Sequence, residues 1–422
     1  MTGKGTMTIR GLTAGMLSFA VAVALVALPG SPAAAAYADP LVATSKTPMG
    51  LTWHAEPAAA ISALDAALPN VGVATVLDDG NRAMTTCNSE ELAALPLSPA
   101  ATAKWCFNSA DATDSNWAPQ GITSSGDADD DGAWGAKQAI LSGWSWGSGD
   151  RRNDARVAFI DTTNPGAPKY RWVYLVDPNS TGSDFTAAKT HIGGMIWFGD
   201  KLIVNAVGNG TVALRVFSMS HILQTTSGVS DIGKVSGGWA AYGYKYVMPQ
   251  IGYYTYSSGA CSMDSDTGIP CFSSLSLDRS TSPDSLVTAE YFSDQTKRGR
   301  LIRYSFGADF LLPTNATPIE AYASGVGNQQ GVLSFNNRWY VVHSSATLKG
   351  QIWGFTPGGG NGRSSTCQVN GATTTLCWSL HPEAVTYWWS TGQVWSTTEW
   401  PRGNAGAPGG RVLYSVPLSG MP

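Results

Sequence analysis

An all-β fold is predicted by three features of this 422-residue sequence. Gly (48 residues), Trp (16) and Tyr (15) are abundant while charged residues make up only 13%, a balance that favours strands and turns over helices. Short runs of alternating apolar and polar residues recur, with Gly, Ser, Asn or Asp between them. The runs also come in groups: two that read as a hairpin, then a third, and in four of the five groups a fourth. A lone four-stranded sheet leaves both faces uncovered, and stacking several around an axis covers them. The expected architecture is a five-bladed β-propeller, with six blades as the alternative if residues 244–248 (YKYVM) begin a blade of their own.

Residues 1–36 read as an export signal rather than as part of that fold. Lys4 and Arg10 give a basic start, residues 15–28 an apolar run short for a membrane span, and residues 31–36 (SPAAAA) a small-residue cleavage region. The mature chain, expected to begin near Tyr37, contains no later stretch that reads as a membrane span and no lipid-attachment cysteine after the signal, so a secreted, extracellular monomer is expected. Six cysteines suit that compartment. Sequential disulfides, Cys87 with Cys106, Cys261 with Cys271 and Cys367 with Cys377, are the simplest of the fifteen possible pairings. A formal net charge of −4 without a basic stripe argues against nucleic acid as a partner.

Residues 37–422 are read as one propeller domain. Its N-terminal segment, residues 37–118, is irregular, with a helical candidate at 58–67 and one alternating run at 71–77 (VGVATVL). Blades are expected to begin near residues 119, 190, 271, 329 and 380. Their hairpins pair 120–124 with 139–144, 191–198 with 201–205, 272–277 with 285–290, 330–335 with 338–343, and 384–388 with 393–397. Third runs follow at 156–160, 213–217, 300–304, 351–355 and 411–415, after which the chain ends. The last blade therefore lacks a fourth strand, which residues 71–77 are expected to supply, closing the ring.

Three phrases carry a family resemblance: Gln120-Gly121-Ile122-Thr123 with its Asp-rich loop, His191-Ile192-Gly193-Gly194, and His381-Pro382-Glu383. They resemble a group of actinobacterial secreted propeller proteins to which no activity is firmly assigned. The resemblance covers most of the mature chain and supplies no catalytic residue. Propellers host glycosidases, lyases, lectins and scaffolds, so function must be sought in a site rather than in the fold.

The sharpest local motif is residues 127–132 (DADDDG). Asp127, Asp129 and Asp131 followed by Gly132 match the front half of a calcium loop, in which hard oxygen ligands converge on a hard cation. Gln138 stands where the bidentate acid belongs and Gly135 at the ninth position, so the match is incomplete. A calcium ion here would be structural, because the loop joins the first two strands of its blade and lies opposite the hairpin ends.

At the other face, the starts of first strands and the ends of second strands meet at one rim. The starts contribute Gln120, His191, Gln330, His381 and Glu383; the ends contribute Trp144, Trp146, Asn205, Glu290, His343 and Glu399. Three of the five histidines thus fall on one rim. Each has an ordinary structural explanation: Glu399 can pair with Arg402, and Glu290 with Lys297, Arg298 or Arg300. Together they form the concave acid and imidazole cluster that acid–base chemistry uses. Trp353, Trp388 and Trp395 are expected to fill gaps between blades, whereas Trp144, Trp146 and Trp400 are expected at the surface as platforms for sugar rings.

These residues predict a glycan-active enzyme acting on a polysaccharide. A hydrolase would use two of Glu290, Glu383 and Glu399. A lyase on uronic-acid polymers would use His191 or His343 as base, with Arg298 or Arg300 neutralising the carboxylate. The alternatives are a module that binds sugar or protein through the same rim and a scaffold whose rim is merely polar. No GxSxG elbow, HExxH helix or P-loop occurs.

Overall fold

Strands form where the alternating runs lie and pair in the order in which they occur. The computed structural model describes residues 37–422 except 209, 293, 295 and 405–408, so the export-signal reading falls outside the described residues. Trp117–Ser124, Ala139–Trp146, Ala155–Asp161 and Lys169–Pro178 build a first antiparallel meander. A second contains Met195–Phe198, Lys201–Asn205, Val212–Ser218 and Tyr246–Tyr256. A third contains Phe272–Asp278, Ser285–Glu290, Arg300–Ser305 and Glu320–Ala323. Gln329–Phe335, Arg338–His343, Gln351–Phe355 and Gly362–Ser364 make the fourth. Pro382–Trp388, Gln393–Thr398 and Val412–Pro417 make the fifth, together with Ala103–Cys106 from the N-terminal segment.

The first strand of each meander packs against the first strand of the next, and the last against the first, so the inner strands close a ring. Apolar side chains fill the space between consecutive meanders. Leu141 and Phe159 meet Ile192 and Trp197 in one such layer, and Val287 and Leu301 meet Val332 and Val341 in another. Because both faces of the sheets are covered, strands such as Lys201–Asn205 are buried almost throughout instead of on alternate residues. This is β-propeller architecture.

Two readings of the sequence are corrected here. Residues 71–77 are not the closing strand: Gly72–Asp78 is an α-helix that buries Val73, Val76 and Leu77, a three-and-four spacing that lays one apolar stripe on the first meander. The missing strand comes instead from Ala103–Cys106, paired with Val412–Pro417. Residues 244–248 begin no separate sheet, because Tyr246–Tyr256 is the fourth strand of the second meander. Its first residues also pair in parallel with Val173–Val176 of the first meander, fusing the two into one 13-stranded sheet.

The N-terminal segment is a belt. Tyr37–Ala38 adds a strand to the fourth meander, Val42–Ala43 to the third, Leu51–Ala55 to the second, Arg82–Ala83 to the first and Ala103–Cys106 to the fifth. It visits consecutive meanders in the sense opposite to the rest of the chain. Disulfides Cys87–Cys106, Cys261–Cys271 and Cys367–Cys377 form the expected sequential pairs. Among the described residues no helix is long and apolar enough to cross a membrane.

Candidate functional site

Four of the five inner strands share an irregularity at the rim. Register shifts occur between Pro119 and Gly121, Phe272 and Ser274, Gln329 and Gly331, and Pro382 and Val385. Each is a bulge, which leaves Gln120, Ser273, Gln330 and Glu383 out of the ladder and re-aims the side chain. Gly331 permits a close approach: a Cβ there would lie 2.9 Å from the Glu383 carbonyl oxygen. The fourth meander thereby lets the fifth bring its acid close to the axis.

Glu383 is 2% exposed, and its carboxyl makes no hydrogen bond or ion pair among the described residues. Burial, and then the charge of Glu399, push its pKa well above the ordinary glutamate value. Glu399 is enclosed by protein but keeps part of its surface open. Burial raises its pKa too, opposed by a hydrogen bond from Gln120, the charge of Arg411 and a contact with Trp400. Gln120 Nε2 donates to Glu399 Oε1 at 3.3 Å, and Arg411 Nε donates to the Glu399 carbonyl at 2.9 Å. Two acids in one field do not ionise together readily, so one is set up to hold its proton while the other is charged.

His381 and Trp400 flank this pair. The imidazole stacks on the indole with centroids 3.7 Å apart and planes 3° from parallel. His381 has a φ of +41°, a left-handed conformation unusual for a branched ring side chain, and its carbonyl accepts a 3.1 Å bond from Glu399 N–H. Burial lowers the His381 pKa to about 4, and its Nε2 is buried without a partner, so the ring is neutral at neutral pH. Tyr291 completes the group: burial, then Glu383 and Glu399, raise its phenol pKa. Tyr291 is not among the rim residues read from the sequence, although its place directly after the rim residue Glu290 is the available signal.

The remaining rim residues divide. Glu290 is buried in a bidentate pair with Arg300, with Nη2 to Oε1 at 2.6 Å and Nε to Oε2 at 2.7 Å. That pairing occupies both side chains and removes them from solvent. Asn205 is a strut, accepting from the N–H groups of Gly193 and Gly194 at 2.9 and 2.7 Å and donating to the Phe272 carbonyl at 3.0 Å. His191 is half-buried, with its pKa lowered to about 4 by burial and then by Arg152. His343 hydrogen-bonds the Gly327 carbonyl through Nδ1 at 2.8 Å and is lowered by burial, with Arg298 opposing protonation further. Gln330, Trp146 and Trp400 are half-buried and Arg298 is exposed.

Trp144 is not at the surface: it is fully buried because Phe107, from the N-terminal segment, packs edge-on against it. The acidic loop divides as well. Asp127 is buried and accepts hydrogen bonds from the Thr123 and Thr386 hydroxyls at 2.6 and 2.7 Å, whereas Asp129 and Asp131 are exposed. The Asp127 carboxylate is thus engaged by two hydroxyls inside the fold, apart from the two exposed acids. Five clefts of about 300 to 590 Å³ open on the molecule, and none of these five is lined by Glu383 or Glu399.

No family profile and no curated protein matches the chain. Among solved structures it is similar to the GH43_1 enzyme from Xanthomonas citri complexed with xylotriose, at 8% identity and a TM-score of 0.34, over 86% of this chain and 96% of that one. It is also similar to the phage phi92 endosialidase, at 8% identity and a TM-score of 0.24, over 74% of this chain and 59% of that one.

Proposed function

We propose that the chain is a secreted five-bladed β-propeller, its fused sheet counting as two blades, that hydrolyses glycosidic bonds at Glu383 and Glu399. The observation that carries this reading is the unpaired Glu383 carboxyl, buried within the field of a second acid. Glu383 is the proton donor to the glycosidic oxygen, since it is the acid more strongly held in its neutral form. Glu399, kept more acidic by Gln120 and Arg411, is the charged partner that activates water or attacks the sugar. The stacked His381 and Trp400 and the Tyr291 phenol wall the approach. Glu290 takes no part in this chemistry, its charge being matched by Arg300.

A non-catalytic binding module is the second reading, favoured by the near-complete burial of Glu383. Release of reducing ends from a panel of neutral and uronate polysaccharides separates the two. Hydrolysis reduced roughly 100-fold or more by Glu383→Gln supports the enzyme. Glycan binding without any product, unchanged by Glu383→Gln and Glu399→Gln, overturns it.

A further inference from the structure

A second site lies outward from the acid pair, on the first meander. A cleft of about 380 Å³ is lined by Arg82, Arg151, Arg156, Arg171 and Lys245 against one acid, Asp114. It is assembled largely by segments that the meander repeat does not require. Arg82 comes from the belt, and Lys245 follows the excursion that contains the hairpin Ile232–Val235 and Gly238–Ala241.

The arginines are held in place from two directions. Aromatic rings clamp the guanidinium faces: Arg151 Cζ lies 4.3 Å from the Trp146 centroid and 4.1 Å from that of Tyr242, and Arg156 Cζ lies 3.7 Å from that of Trp172. Tyr242 reaches its place with a φ of +49°, a strained conformation for an aromatic residue. Behind the cleft, buried carboxylates fix the edges, with Arg151 Nε on Asp154 at 2.8 Å, Arg156 Nη2 on Asp111 at 3.1 Å and Arg82 Nη1 on Asp111 at 2.6 Å. Asp111 and Asp154 do not line the cleft, so the surface offered to a ligand is cationic even though the whole cluster is nearly balanced.

Each guanidinium carries five donors, and these contacts use only some of them. Arg156 Nε is buried with no partner among the described residues, and Arg171 is held by Asp79, at 3.3 Å, and lies over the Tyr246 ring with Cζ 5.5 Å from its centroid. Clamped guanidiniums with spare donors are pre-organised for a planar oxyanion. The cleft is also coupled to the acid pair through one side chain: Arg411 donates to the Asp111 carbonyl at 2.6 Å and to the Glu399 carbonyl at 2.9 Å.

We propose that this cleft binds the carboxylate of an acidic sugar, making a uronate-bearing oligosaccharide the ligand class. The anion follows from the cleft itself; the sugar rests on the glycan reading above. Calorimetric titration of the full chain with oligogalacturonate, with its neutral methyl ester and with inorganic sulfate tests both parts. The acidic oligomer is expected to bind at least tenfold more tightly than either comparison ligand, and more weakly as salt rises. Arg151→Gln and Arg171→Gln are each expected to raise its Kd about tenfold. The melting temperature is recorded for both, and Arg171→Gln, whose side chain has the fewest contacts, keeps the test valid if Arg151→Gln misfolds.

Glu383→Gln is expected to abolish hydrolysis without changing this affinity, whereas a parent chain that binds the oligomer and releases no product sinks the proposed chemistry but not the cleft. Equal affinity for the ester, or no change on Arg171→Gln in a folded protein, overturns the cleft while leaving the acid pair untouched. Sulfate binding as tight as oligogalacturonate overturns the sugar assignment.

Discussion

The carboxyl of Glu383 is buried in the field of Glu399 and has no cation of its own among the described residues, whereas Glu290, on the same rim, is matched by Arg300. The first arrangement is adverse to folding at neutral pH, and the second satisfies a buried charge with its complement.

For Glu383 the folded pKa stands above the unfolded value near 4.3. Its stabilising contribution is complete below that unfolded value and is lost as pH rises through the folded one. Glu383→Gln should therefore melt at a higher temperature than the parent chain at pH 7 to 8, with the difference closing near pH 4, while hydrolysis is lost. Melting curves across pH check this, and a variant less stable than the parent at pH 7 would contradict it.

Removing one partner of the Glu290–Arg300 pair strands the other charge in a dry site. Glu290→Gln is expected to lower stability by roughly 3–5 kcal/mol. Activity per folded molecule should be retained, as measured by denaturant unfolding beside an assay of the soluble fraction.

Asp127 has its pKa raised to about 6, with burial the largest cause and the Thr123 and Thr386 hydroxyls opposing it. Its contribution is present below about 3.9 and lost as pH climbs through about 6. Asp127→Asn should accordingly gain about 1–3 kcal/mol at pH 7 and little at pH 4.

Cys87–Cys106 joins the last belt strand to residues 19 positions earlier. Replacing both cysteines by Ser is expected to reduce stability by about 3 kcal/mol, the loop-closure value for a ring of this size. Differential scanning calorimetry in the presence and absence of reductant measures the loss.

The hairpins were legible because strand alternation survives within each one, and Gln120, Glu383 and Glu399 could be placed on one rim by counting from the turns. The second meander starts at Met195 rather than near 190 because Ile192 gives its N–H to the Ser145 hydroxyl, and Gly193 and Gly194 give theirs to the Asn205 side chain, instead of to a ladder. Residues 71–77 misled because Gly72 and Ala74 mimic the small alternate positions of a strand, while Val73, Val76 and Leu77 carry a helical stripe. Belt strands such as Tyr37–Ala38 and Val42–Ala43 are two residues long, too short to show any period. The arginine cleft had no sequence signature, since its cations come from segments separated by up to about 160 positions and only folding brings them together.

The belt has a consequence for how the molecule comes into being. Translation delivers the N-terminal segment first, before any of the sheets whose edges it completes. Its strands have no partners until the meanders arrive, and Ala103–Cys106 waits for Val412–Pro417 at the far end of the chain. Ring closure is thus a very long-range contact, of the kind that slows folding. A ribosome-bound chain truncated before residue 412 would leave Ala103–Cys106 and Gln393–Thr398 both without the strand that joins them, and those open edges are the surface a chaperone must cover until the last strand is made.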